Sequence, residues 1–120
     1  MTSSSVGQWA EDRAARFLES KGFRIFARNF RTRFGEVDLV AEDGESLVLI
    51  EVKYRADESF SPVEESLTFA KRKKLIKAGR AAAARFGENR MIRFDFVALV
   101  GSRESPELRH YENVLEGATL

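Results

Sequence analysis

The sequence predicts an α/β domain in which helices flank a mixed sheet. Two observations carry the prediction. Apolar residues recur at helical spacing over residues 6–21 and again in a stretch ending near Phe86, and the segments between and after them alternate or stay apolar over strand lengths. The order is helix, three strands, helix, then one or two strands. At 120 residues the chain is expected to form one domain, residues 6–120, behind a disordered lead-in of residues 1–5.

The first helix rests on Val6, Ala10, Ala14, Phe17 and Leu18, which form one stripe, with Gly22 ending it. Glu11 stands at the margin of that stripe. Residues 23–30 alternate and predict a first strand leading into a hairpin. The hairpin is the most informative stretch. Gly35 to Ala41 leads through Asp43-Gly44 into Leu47 to Lys53, and Asp-Gly between apolar runs is a strong turn signal. A two- or four-residue loop centred on Asp43-Gly44 places Asp38 opposite Leu49 and Glu36 opposite Glu51. Side chains alternate faces along a strand, so Glu36, Asp38, Glu51 and Lys53 share one face, with Asp38 diagonal to Glu51 at roughly 7–8 Å. Carboxylates and a lysine converging there can hold a hard divalent cation beside a cationic side chain. Exposed charge is the default on a strand. An Asp in one arm and Glu-x-Lys in the next, both inside Val/Leu/Ile runs, is more specific than either alone.

A polar stretch, residues 55–61, follows and is expected to form a loop near those charges. Ser61-Pro62-Val63-Glu64 has the form of a helix start, and Ser66 or Thr68 offers a second one. The helix then runs to about Phe86, with Lys71, Leu75, Ala78, Ala82 and Phe86 on one stripe. Lys71 is the unusual member, because cations are disfavoured at a helix N-terminus unless an anion offsets them. Met91 to Val100 is nearly continuous in apolar character and predicts a central strand buried on both faces. Asp95 within it is expected to pair with a neighbouring arginine. The tail from Leu108 to Leu115 offers an edge strand, and His110, the one histidine, reads as exposed and incidental.

Composition narrows the classes. Hydrophobic residues make up 43% and charged residues 32%, as in ordinary globular proteins. Cysteine is absent, which excludes disulfides and thiolate metal sites. No run of 18 apolar residues and no basic-then-apolar leader is present, so a cytoplasmic protein without a membrane span is expected. The net charge of +1 hides a strong pattern. Residues 1–33 hold seven Lys/Arg against three acids, residues 34–66 hold ten acids against two bases, and residues 71–93 hold nine bases against one acid. Basic flanks around an acidic centre suit a protein that grips a polyanion while holding a metal in the middle.

Gly7, Glu11, Ala14, Leu18, Gly22-Phe23, Arg28-Asn29, Gly35 to Val40 and Glu51-Val52-Lys53-Tyr54-Arg55 arrive in an order that resembles the bacterial YraN family. Lys71, Leu75 and Arg93 to Val97 continue it, so the resemblance covers about residues 6–115. That family is similar to the restriction-endonuclease-like PD-(D/E)XK nucleases, and there to archaeal Holliday junction resolvases. The resemblance implies an αβββαβ core. It also implies that Asp38, Glu51 and Lys53 form the D…ExK site, with Glu11 as an acid contributed by the first helix; Val37 stands where the superfamily name has proline.

The expected activity is then Mg²⁺- or Mn²⁺-dependent endonucleolytic cleavage of DNA, including branched or structured DNA. Asp38, Glu51 and the Val52 backbone carbonyl are the expected metal ligands, Glu36 a back-up, and Lys53 the residue acting on water or developing charge. Lys71, Lys74, Arg31 and Arg33 are the candidate phosphate contacts. A symmetric dimer would suit junction cleavage. The alternative is a nucleic-acid-binding accessory protein that kept the fold and lost turnover. A glycosidase-like carboxylate pair is the third reading; Lys53 and the lack of an aromatic-rich sugar groove count against it.

Overall fold

The computed structural model describes residues 4–87 and 89–115. Helix α1 spans Ser4–Ser20, strands β1, β2 and β3 span Arg24–Thr32, Gly35–Asp43 and Ser46–Arg55, helix α2 spans Phe69–Phe86, and strands β4 and β5 span Met91–Val100 and Glu107–Tyr111. The αβββαβ order is the expected one, with β5 as the edge strand. Helix α1 begins earlier than its sequence pattern suggested: Ser4 and Ser5, assigned to the lead-in, are helical, while residues 1–3 and 116–120 lie outside the described residues.

The five strands lie in the order β1-β2-β3-β4-β5. All neighbours are antiparallel except β3 and β4, which α2 joins in parallel. Each face carries one helix. Ala10, Ala14, Ala15 and Leu18 of α1 pack with Leu39, Val48, Ile50, Val52 and Val97 on one face. Leu75, Ala78 and Ala82 of α2 pack with Val40, Leu47, Leu49, Phe94 and Phe96 on the other. Small alanines on both helices let them approach the sheet closely, and residues 47–50 of β3 and 96–99 of β4 are continuous apolar runs because both of their faces are covered.

The hairpin register differs from the expected one. Asp43 pairs with Ser46 and Leu39 with Ile50, so the loop is the two residues Gly44-Glu45. Gly44 takes φ +59°, as the first position of a two-residue hairpin loop of this kind requires. The shift amounts to two residues relative to the sequence reading. A one-residue slip exchanges faces and a two-residue slip preserves them, so Glu51 and Lys53 keep the common face expected of them. In β2 the alternation breaks at Asp38, because Val37 and Val40 pack in the core under α2 while Leu39 packs under α1. Contrary to expectation, Glu36 therefore does not share the face of Asp38. The β2–β3 ladder ends at Leu39–Ile50; beyond it β2 continues along β1, and β3 continues along β4. The two strands therefore part where the charges begin.

The loop into α2 resolves the choice between helix starts. Val63–Ser66 forms only a short 3₁₀ turn, and Thr68 is the cap of α2, its Oγ1 accepting from Lys71 N–H at 3.2 Å. Two expectations in the second half meet different fates. Asp95 is wholly buried and takes two bonds from Arg93 at 2.9 and 3.0 Å, as expected, plus one from Asn113 N–H at 3.0 Å. His110 is a correction: its side chain is 3% exposed, with Nε2 2.8 Å from Asp95 Oδ2 and Nδ1 2.6 Å from Lys21 Nζ. The pattern-based reading failed because β5 is an edge strand whose inward face is closed by Phe17 and Phe23.

Candidate active site

The parting of β2 and β3 makes the site. Having no backbone partner at this point, Val52 N–H donates to Asp38 Oδ2 at 2.8 Å, which bridges the gap with a side chain. Asp38, Glu51 and Lys71 line clefts of about 330 and 390 Å³ on either side of this bridge. Lys74 and Glu36 join them in the first, and Glu11, Val52 and Lys53 in the second.

The four expected catalytic residues thus meet: Glu11, Asp38, Glu51 and Lys53 line one cleft, with Val52 and Lys71 beside them. Their electrostatics are strained. Burial, then the neighbouring Glu51, push the Asp38 carboxyl up to about 7. Burial also raises Glu11, with Glu36 adding to the rise and a hydrogen bond from Asn29 opposing it. Lys53 is lowered, by burial first and then by Lys71 and Arg55. Burial is the leading cause of all three shifts, which disfavours the charged form of the two acids and of the lysine alike.

The carboxylates that lie closest together are those of Glu11, Glu36 and Asp38, each offering an oxygen within 4.8 Å of the others. Glu36 is therefore better placed than its back-up status suggested. Glu51 is turned elsewhere: its Oε2 accepts from Lys71 Nζ at 2.6 Å. Lys71 sits in the first turn of α2, and Glu51 is the anion that offsets its unfavourable place there. At Val52 the structure adds an engaged N–H to the expected carbonyl.

Two of the remaining candidates, Arg31 and Lys74, line the openings, and Arg33 does not. Arg31 lines a third cleft with Glu11, Asn29 and Glu36. The aliphatic part of Lys74 passes over Gly35, whose Cβ, if added, would lie 3.9 Å from Lys74 Cδ. Arg33 lines none of these clefts; it lies at the β1–β2 turn with its guanidinium 5.2 Å from the Phe34 ring centroid.

Asn29 is the site residue that sequence reasoning missed. Its φ of +51° lies in the left-handed region inside β1, where Asn is better tolerated than most residues. It stands between the paired positions Arg28 and Phe30, leaving Asp38 as the residue skipped on β2. The available signal was an asparagine, a poor strand former, in the middle of an alternating run.

Comparison with known sequences gives a consistent answer. Residues 10–99 match the model described as uncharacterised protein family UPF0102. A UPF0102 protein of Herminiimonas arsenicoxydans is 38% identical over 111 residues, covering 92% of this chain and 86% of the relative. One from Pelotomaculum thermopropionicum is 40% identical, covering 90% and 92%, and one from Carboxydothermus hydrogenoformans is 37% identical, covering 97% and 99%. The matched region runs from α1 through β4 and so contains every acid and lysine of the cleft. The chain belongs to family UPF0102, the YraN family that its motifs resemble.

Proposed function

We propose that this protein is a divalent-metal-dependent endonuclease acting on DNA. The observation that carries the reading is the convergence of Glu11, Asp38, Glu51 and Lys53 on one cleft at the point where β2 and β3 part. The donor chemistry fits a hard cation: clustered carboxylate oxygens, with the Asp38 carboxyl pushed up by burial and by the neighbouring Glu51. Asp38 would hold Mg²⁺ or Mn²⁺, with Glu11, Glu36 and Glu51 available around it. Such an ion, when bound, polarises a phosphoryl oxygen and lowers the pKa of bound water.

The chain's own residues supply the rest. Lys53, with its lowered proton affinity, can accept a proton from attacking water or neutralise charge building on the phosphate. Asp38 is held in place by the Val52 N–H, so its free oxygen is directed rather than mobile. Lys74 and Arg31 at the openings, and Arg33 at the β1–β2 turn, suit backbone phosphates, which position a nucleic acid without reading its sequence.

A second reading, a catalytically silent nucleic-acid-binding module, is favoured by the Lys71–Glu51 ion pair, which already satisfies one site carboxylate. One experiment separates them. Single-turnover cleavage by wild type and Lys53→Ala is measured with Mg²⁺ or Mn²⁺ on plasmid, linear, single-stranded and four-way-junction DNA. The expected result is intact DNA binding with cleavage reduced on the order of 10²-fold or more, the scale of a lost transition-state contact. Wild-type binding without cleavage on any substrate would select the silent module. Cleavage undiminished by the substitution would remove Lys53 from the site.

A further inference from the structure

We propose that the rim of this site holds unpaired bases, so that the nucleic acid it takes carries a single-stranded segment beside the cleft. The inference rests on the nucleic-acid reading above and names its substrate class. It starts from three phenylalanines with no place in either core. Phe34, Phe60 and Phe69 are 37%, 101% and 73% exposed. Each is the sequence neighbour of a residue that lines an opening of the site. Phe34 adjoins Gly35, which walls the cleft containing Asp38 and Glu51. Phe69 opens α2 beside Thr68, and Phe60 precedes Ser61; Thr68 and Ser61 line a neighbouring opening with Lys53 and Lys71.

Cations are interleaved with two of these rings. The Phe34 centroid lies 5.2 Å from the Arg33 guanidinium and 5.8 Å from Lys77 Nζ, and the Phe69 centroid lies 4.9 Å from Lys73 Nζ. That mixture discriminates between occupants. Lysine is depleted from protein–protein interfaces, whereas an exposed ring beside Lys or Arg suits a strand whose base stacks while its phosphate meets the cation. Bases in an intact duplex are already stacked on each other and offer no free face. Exposed rings next to the cleft-lining residues therefore gain most from bases that are unpaired.

Fluorescence anisotropy of the full chain in EDTA tests this apart from cleavage. The probes are labelled oligo-dT, a blunt duplex and a duplex with splayed single-stranded arms; the variants are Phe34→Ala, Phe69→Ala and Phe69→Trp. Wild type is expected to prefer the single-stranded and splayed probes. Each alanine variant should lose on the order of tenfold on those two and little on the blunt duplex, with Phe69→Trp restoring affinity. Unchanged affinities, or equal losses on all three probes, would overturn the inference while leaving duplex binding and cleavage open to measurement. Wild type that binds none of the probes would overturn the nucleic-acid reading as well. A dimer in light scattering that Phe34→Ala or Phe69→Ala dissociates, with probe affinities unchanged, would assign the rings to a second copy of the chain and overturn the inference.

Discussion

Asp38 is the site carboxylate whose titration departs far from its ordinary range, and it gives a signed prediction. A carboxyl near 3.8 when unfolded and about 7 when folded binds its proton more tightly in the native state. Its contribution to stability is therefore complete below pH ~4 and lost as pH rises through about 7. Denaturant unfolding of the metal-free protein should show wild type losing stability across this window relative to Asp38→Asn, and added Mg²⁺ should abolish the difference. A parallel pH profile for the two proteins would mean that Asp38 ionises normally. Asp95 does not confuse the result, because its pKa is lowered and its effect falls in more acidic solution. Lys71 gives the second prediction at this scale. Its ammonium occupies Glu51 where a cation would compete for the same oxygens. Lys71→Ala should therefore bind Mn²⁺ several-fold more tightly in calorimetry and gain more thermal stability from it than wild type does. Unaltered Mn²⁺ affinity would mean that Glu51 takes no part in metal binding.

The elements position these residues through three local features, and only some were legible beforehand. The alternation of β3 put Glu51 and Lys53 on one face, and that survived an incorrect register because a two-residue shift preserves parity. The alternation of β2, by contrast, breaks at Asp38 and turns Glu36 to the other side. Which two residues form the loop could not be read, since Asp43-Gly44 and Gly44-Glu45 satisfy similar turn chemistry. The splay after Leu39 was invisible as well, because it arises from competition between ladders on opposite sides of each strand. Thr68 was one of two plausible caps, and the choice matters because it sets Lys71 in the first turn. Replacing Thr68 with Ala should cost about 1 kcal/mol, the usual scale of a lost cap. It should also loosen the Lys71–Glu51 contact, visible as faster amide exchange at residues 69–72. Loss of stability with unchanged exchange there would show that the ion pair, rather than the cap, fixes the helix start. Arg109 was not anticipated either: it gathers Glu58, Glu64 and Glu107 and so ties the β3–α2 loop to β5 across a gap of more than forty residues in sequence.

Across the whole molecule, two helices close the two faces of one sheet and leave a charged opening where the strands diverge. The sequence showed this polarity only as alternating blocks of charge; the fold turns the blocks into a geometry. The central acids lie in the clefts, with Arg31 from the first basic block and Lys74 from the last among the lining residues and Arg33 at the β1–β2 turn beside Phe34. A net charge of +1 gives no long-range pull worth considering, so binding to a polyanion must depend on this local arrangement. Counterion release makes that dependence measurable. Each phosphate contact contributes about 0.9 to the slope of log K against log salt on duplex DNA and about 0.7 on a single strand. Removing Lys74, Arg31 or Arg33 one at a time should lower the slope by about that amount and weaken binding without regard to base sequence. Arg80, on the exposed side of α2 and outside the clefts, is the control. If Arg80→Ala lowers the slope as much as Lys74→Ala, the attraction is a diffuse property of the basic blocks and the opening has no special claim on the phosphates. If only the rim substitutions act, the polyanion is held across the acidic cleft, where Asp38 and Lys53 can reach its backbone.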